Sequence, residues 1–214
     1  MVRRVGANGA GRPLVVGNCS DGWDRTSQLS GLAQLLLDPF ARSLEGFLSI
    51  VGREFTSMGH RFATRTGAGS GTTERGEQAP IFLIFLECVW QLQRQHPRAF
   101  EFGERLLLAM ADASVSGRWG TFAGDNDQER EALPNGGGPC FLAHVLKSRA
   151  TWLNRDYAAH VEPGMLNVST DVRRLALWDG YWLRYLNDGD QPIERNGDDN
   201  DNDDDAVWES GDNE

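Results

Sequence analysis

One short apolar run decides most of what this chain can become. Pro13 to Gly17 reads P-L-V-V-G, bounded by breakers on both sides, which is the pattern of a buried strand. Nothing later in the chain repeats that pattern. Four or more stretches instead carry apolar residues at helical spacing. A buried strand needs a neighbour on each side, and several amphipathic helices need a surface to cover. Two architectures satisfy both demands: an all-helical protein with a stray strand, or the back part of a larger α/β domain.

The helices read clearly. Ser27 to Leu37 holds Leu29, Leu32, Ala33, Leu35, Leu36 and Leu37, a helix apolar on most of its circumference. Asp38-Pro39 restarts the chain, with Asp as the cap and Pro at the first helical position. Phe40, Leu44, Phe47, Leu48, Val51 and Phe55 then follow at helical spacing. Thr66 to Gln78 is a Gly/Thr/Ser loop. Pro80 opens a deeply packed helix over Ile81 to Leu92, which Pro97 ends, and Phe102, Leu106, Ala109, Met110 and Ala113 mark a fourth. Pro134 to Pro139 is a flexible loop, followed by a helix around Phe141 to Leu153. Leu175, Trp178, Trp182 and Tyr185 form an aromatic stripe read as core. The domain layout is an irregular segment over 1–12, a folded unit over 13–186 and an acidic disordered tail over 187–214.

Charge excludes one class of partner. The chain of 214 residues has a net charge of -10, but Glu194 to Glu214 holds ten of the 31 acidic residues and a single arginine. The body is therefore nearly neutral, and no block of it is basic enough for nucleic acid. The tail would repel an anionic membrane. The basic residues are 20 Arg and one Lys, a compositional bias that also supplies phosphate-gripping forks. No apolar run approaches the ~20 residues of a membrane span, and the N-terminus lacks the apolar core of a secretory signal. Three cysteines, Cys19, Cys88 and Cys140, without a CxxC pair, give neither a disulfide framework nor a zinc site and suit a reducing cytosol. No metal and no cofactor is expected. Cys88 reads as core and Cys140 as a free thiol without a role. His60 and His144 read as structural.

The chemistry concentrates in Leu14-Val-Val-Gly-Asn-Cys-Ser-Asp-Gly-Trp-Asp-Arg-Thr26. Strand passes to tight polar loop and then to helix, with Cys19 at the loop's start and Arg25 at the helix mouth. Loop and first-turn amides pointing inward, together with the positive end of the helix dipole, make an anion cradle. Arg25 can hold two phosphate oxygens at once. The same field lowers the pKa of Cys19 toward the nucleophilic thiolate. The implied chemistry is phosphate-ester cleavage through a phosphocysteine.

The octet C-S-D-G-W-D-R-T resembles the signature loop of the myotubularin family of phosphoinositide 3-phosphatases. The likeness continues in S-Q-L-S-G-L-A-Q-L-L-L-D at Ser27 to Asp38, L-E-G-F at Leu44 to Phe47 and S-M-G-H-R-F at Ser57 to Phe62. It extends through P-I-F-L-I-F-L-E-C-V-W-Q-L at Pro80 to Leu92, P-R-A-F-E-F at Pro97 to Phe102, G-T-F at Gly120 to Phe122 and L-W-D-G-Y-W-L-R at Leu177 to Arg184. The resemblance implies a cysteine-phosphatase-type α/β domain, present here mainly as its helical C-terminal part after a single P-loop strand. It implies Cys19 as nucleophile, Ser20, Asp21, Gly22 and Trp23 lining the phosphate, and Arg25 holding the phosphoryl group. Asp24 is the implied general acid, with Asp21 as the alternative, and Arg61 and Arg65 are implied contacts to further phosphate on the headgroup. The implied substrates are phosphatidylinositol 3-phosphate and phosphatidylinositol 3,5-bisphosphate, met in the cytoplasm at the periphery of endomembranes.

Three departures stand out. Asn18 replaces the family's usual His before the cysteine. The family's Asn-Pro-Leu-Tyr stretch is present only loosely, as Asn154-Arg-Asp-Tyr157. Only 18 residues precede Cys19, where the family has most of its central sheet and a lipid-binding PH-like domain, so the chain is expected to be truncated at its N-terminus, with membrane contact assigned to the missing domain. Two function classes remain open: a phosphoinositide 3-phosphatase, and a catalytically inactive fragment or scaffold of the same family. A cysteine phosphatase acting on phosphoprotein is the other enzymatic reading. Homo- or hetero-dimerisation is left open.

Overall fold

The computed structural model of the chain describes residues 2–7, 13–67 and 77–186, with the backbone alone for 2–7 and 13–15. The acidic tail and most of the Thr66–Gln78 loop lie outside the described residues.

The strand Pro13–Gly17 (β2) is not alone. Val2–Ala7 forms β1 and pairs antiparallel with it, Arg3 opposite Val16 and Val5 opposite Leu14, with a register shift between Val5 and Ala7. This corrects the irregular N-terminus expected over 1–12. V-R-R-V-G-A has no period-2 alternation, so only pairing with β2 makes it a strand.

Eight α-helices follow among the described residues: α1 Arg25–Leu37, α2 Leu44–Ile50, α3 Phe62–Thr66, α4 Ile81–Gln95, α5 Glu104–Val115, α6 Asp127–Ala132, α7 Phe141–Lys147 and α8 Asp179–Trp182. The short α3 and α6 carry too few apolar positions for a periodicity signal. The restart at Asp38-Pro39 differs in detail from the expected long helix. Asp38 accepts the Phe40 N–H at 2.9 Å, but Pro39 holds the cap position and only a 3₁₀ turn follows, Phe40–Arg42. The helix proper starts one step later, with Ser43 accepting the Gly46 N–H. Gly46 makes that tight entry feasible, because a Cβ there would sit 2.0 Å from the Phe40 carbonyl oxygen. After Ile50 the backbone widens into π-helical turns over Val51–Ser57. Such turns often accompany functional sites, and these lead directly into His60.

The core is a phenylalanine cluster between α1, α2, α4 and α5. Phe47 stacks on Phe102 at 4.3 Å, and Phe55 meets Phe82 and Phe85 at 5.0 and 4.8 Å. Phe62 packs edge-on against Phe82 and Phe122. α4 buries Phe82, Phe85, Leu86, Val89, Trp90 and Leu92. α1 buries only the stripe Ser27, Gly31 and Leu35, while Leu29 and Leu37 remain exposed. Its apolar circumference thus exceeds what the described residues cover. Among these residues no helix is long and apolar enough to cross a membrane.

The aromatic stripe near the end needs correction. Only Trp178 is core: it is fully buried, stacks on Trp90 and donates its indole N–H to Glu104 at 2.7 Å. Leu175, Trp182 and Tyr185 are exposed. Helical spacing cannot align them, because the chain is helical there only over Asp179–Trp182. Cys88 is half-buried rather than fully enclosed, and burial pushes its thiol up. The helix expected to reach Leu153 ends at Lys147, followed by a 3₁₀ turn over Arg149–Thr151.

Candidate active site

β2 ends at Gly17 and α1 begins at Arg25, leaving residues 18–24 as the connecting loop. Gly22 has φ +95°, a region that side-chain-bearing residues avoid. That bend turns the Gly22 amide onto the Cys19 sulfur at 3.2 Å. Thr26, in the first turn of α1, closes the loop from the other side. Its hydroxyl donates to the sulfur at 3.2 Å and accepts the Cys19 N–H at 3.0 Å. Burial pushes the thiol up, but the Thr26 hydroxyl and the amides of Thr26, Gly22 and Asp21 outweigh it and bring the pKa down to about 6. At neutral pH the group is a thiolate, the nucleophilic form.

The rim of the loop carries the polar groups. Arg25, exposed at the head of α1, donates to the Ser20 hydroxyl at 3.4 Å, and Ser20 donates onward to Asp21 at 2.8 Å. Asp21 faces solvent, whereas Asp24 turns inward. Arg65 binds the Asp24 carboxylate through Nη2 at 2.8 Å and Nε at 3.1 Å. His60 Nδ1 lies 3.0 Å from Asp24 Oδ1 and 3.0 Å from the Trp23 carbonyl oxygen. Burial pushes the Asp24 carboxyl up, yet the hydrogen bonds from His60 and Arg65 prevail and hold it below the usual carboxylate range. Asp24 is therefore an ionised, doubly anchored carboxylate.

Arg61 and Arg65 take different partners. Arg65 is mostly buried and also donates to the Glu77 carbonyl at 2.6 Å. Arg61 pairs with Asp125 and with the Glu77 carboxylate, each at 3.3 Å. Asp125 also accepts the Thr64 N–H at 2.9 Å and the Thr64 hydroxyl. Arg61, Glu77 and Asp125 line a cavity of about 830 Å³ with Trp119, Phe122 and Leu133, whose walls do not include Cys19. Cys140 is exposed and accepts the Thr121 hydroxyl at 3.5 Å, away from the loop. Among the described residues no group of three or more His, Cys, Asp or Glu side chains could hold a metal ion.

Two contributors escape a reading of the sequence for site residues. Thr26 closes the octet, so its position was in plain view, but its double contact to Cys19 depends on the helix turning at Arg25. His60 lies in the S-M-G-H-R-F stretch and reads as structural, but nothing in the sequence links it to Asp24, which lies 36 residues away and meets it only through tertiary packing.

A cysteine and an arginine six positions apart, on an amide-lined loop between a strand and a helix, define a cysteine-phosphatase-type domain. The family model described as "Myotubularin-like phosphatase domain" matches residues 5–131. Myotubularin of Rattus norvegicus is 39% identical over 176 residues, covering 82% of this chain and 29% of its own length. Phosphatidylinositol-3,5-bisphosphate 3-phosphatase MTMR2 of Mus musculus is 39% identical over 180 residues, covering 82% of this chain and 27% of its own. Myotubularin of Xenopus laevis is 36% identical over 182 residues. The chain belongs to the myotubularin family. It spans less than a third of the length of these curated relatives.

Proposed function

We propose that the chain carries the cysteine nucleophile and arginine of a phosphatase that removes the 3-phosphate from phosphoinositide lipids. The observation that carries this reading is the convergence on Cys19: the Thr26 hydroxyl and the amides of Asp21, Gly22 and Thr26 hold a thiolate with a pKa of about 6 at the head of α1. The relative named phosphatidylinositol-3,5-bisphosphate 3-phosphatase supports the substrate class.

In the proposed reaction the Cys19 sulfur attacks phosphorus as the P–O bond to the inositol breaks. The amides of the loop and the Arg25 fork stabilise charge on the equatorial oxygens. The inositol oxygen leaves as an alkoxide equivalent and takes a proton from Asp24, or from Asp21 in the alternative assignment. Water then cleaves the P–S bond and releases phosphate. Asp24 is ionised in the free state, so the substrate must supply the upward shift. A phosphoryl dianion beside it disfavours the carboxylate by like-charge repulsion. A second headgroup phosphate drawing Arg65 away would act in the same direction. Phosphatidylinositol 3-phosphate and phosphatidylinositol 3,5-bisphosphate are the substrates of this reading, met at the cytoplasmic face of endomembranes.

The alternative is a non-catalytic scaffold of the same family. The exposed Val16 on β2, Leu29 and Leu37 on α1 and Phe40 in the 3₁₀ turn after it favour it, because exposed apolar side chains suit a partner. Cys19→Ser decides between the two. In a chain that releases phosphate from 3-phosphorylated lipid, the variant should lose all turnover, since a serine hydroxyl in this loop is hardly ionised. Turnover retained in Cys19→Ser would exclude the phosphocysteine route. Absence of turnover in the unmodified chain would favour the scaffold.

A further inference from the structure

His60 is 1% exposed, with its ring held edge-on by Phe55 at 5.5 Å and Phe62 at 4.7 Å. Its backbone is fixed on both sides: the His60 N–H donates to the Phe55 carbonyl and its own carbonyl accepts the Phe62 N–H, each at 2.9 Å. The π-helical turns Val51–Ser57 and the start of α3 therefore aim this ring. Nε2 is buried with no hydrogen-bond partner among the described residues. The whole polar output of the ring is Nδ1, at 3.0 Å from both the Trp23 carbonyl and Asp24 Oδ1. Both are acceptors, so Nδ1 carries the proton. The Trp23 carbonyl has a second donor, the Ser27 hydroxyl at 3.0 Å. Asp24 is also bound by Arg65.

We infer that His60 is a positioning residue of the active site: its Nδ1–H fixes the Asp24 carboxylate and the Trp23 carbonyl from behind the signature loop, leaving Arg65 free to exchange partners without Asp24 losing its orientation. The inference rests on the catalytic reading above. Arg65 alone would couple the two events, since any anion that captured Arg65 would also release Asp24. With His60 in place, one anchor stays when the other leaves.

The test compares His60→Leu, which keeps apolar bulk and removes the donor, with His60→Asn, whose side-chain amide nitrogen can take the place of Nδ1. Both are assayed on vesicles containing phosphatidylinositol 3-phosphate and on para-nitrophenyl phosphate, whose leaving group needs no proton donor. Losing one hydrogen bond to a charged partner should lower kcat on lipid about 10- to 100-fold in His60→Leu, with KM changed less than about threefold. The aryl phosphate rate should fall far less, and His60→Asn should recover most of the lipid rate even where its melting temperature falls alongside that of His60→Leu. An unchanged lipid rate in His60→Leu would overturn the inference. So would losses that are equal on both substrates and shared by both variants, because they would make His60 a core residue only. Protection of Cys19 from iodoacetamide by inorganic phosphate gives a readout independent of turnover. Protection weakened about fivefold in His60→Leu and kept in His60→Asn supports the inference, while equal protection overturns it. If the unmodified chain hydrolyses neither substrate, the proposed activity fails and this protection measurement alone decides His60.

Discussion

Thr26→Ala isolates the group that most lowers the Cys19 pKa. The Thr26 side chain touches the sulfur, donating at 3.2 Å, and its hydroxyl also receives the Cys19 N–H at 3.0 Å. With the hydroxyl gone, burial still pushes the thiol up and only the three amides pull it down. The site lies close to solvent, so screening weakens each contact, and losing one of four donors should raise the pKa by about one unit from its value of about 6. Near pH 6 the thiolate fraction would then drop from about a half to about a tenth, and alkylation by iodoacetamide would slow about fivefold. Above pH 8 the two proteins should react at nearly equal rates. The sign for stability follows from the same shift. A thiol depressed from 9.0 to about 6 on folding contributes stability fully above pH 9, and loses it as pH falls through about 6. The assay is the alkylation rate of Cys19 against pH, with Cys88 and Cys140 replaced by Ala. Midpoints that coincide for the two proteins, or an unmodified chain with its midpoint near 9, would refute the account of how this loop makes a thiolate.

Asp24→Ala should slow hydrolysis of 3-phosphorylated lipid far more than that of para-nitrophenyl phosphate, and the same split seen in Asp21→Ala instead would move the acid role to Asp21. Arg42→Met should cost on the order of 3 kcal/mol of stability by urea denaturation. That buried guanidinium donates to the carbonyls of Leu35, Glu162 and Gly164, tying the segment around Glu162 to the end of α1, and all three would lose their partner. A loss below about 0.5 kcal/mol would mean water replaces it.

The candidate site was legible in the sequence because it is local. Cys19, Gly22, Asp24, Arg25 and Thr26 lie within eight consecutive residues, and a strand ending before them and a helix starting after them are enough to gather their amides into one place. The helix cores were legible for the same reason, since periodicity is a property of neighbours along the chain. Phe82, Phe85, Leu86 and Val89 could only face one way once α4 formed. What only the tertiary structure decided are contacts whose partners are far apart in sequence. β1 is a strand because β2 pairs with it, and its own residues alternate too poorly to show it. Trp178 is core while Trp182 is exposed, because Trp90 and Glu104 reach the first and nothing aligns the second behind it. The state of Asp24 belongs to this class too. Its residue type and position allow a proton donor, but His60 and Arg65, 36 and 41 residues later, hold it ionised. Local order sets which groups are present, how the loop bends and how it lowers the Cys19 pKa, whereas the charge state of Asp24 depends on which distant groups the packed core brings within hydrogen-bonding distance.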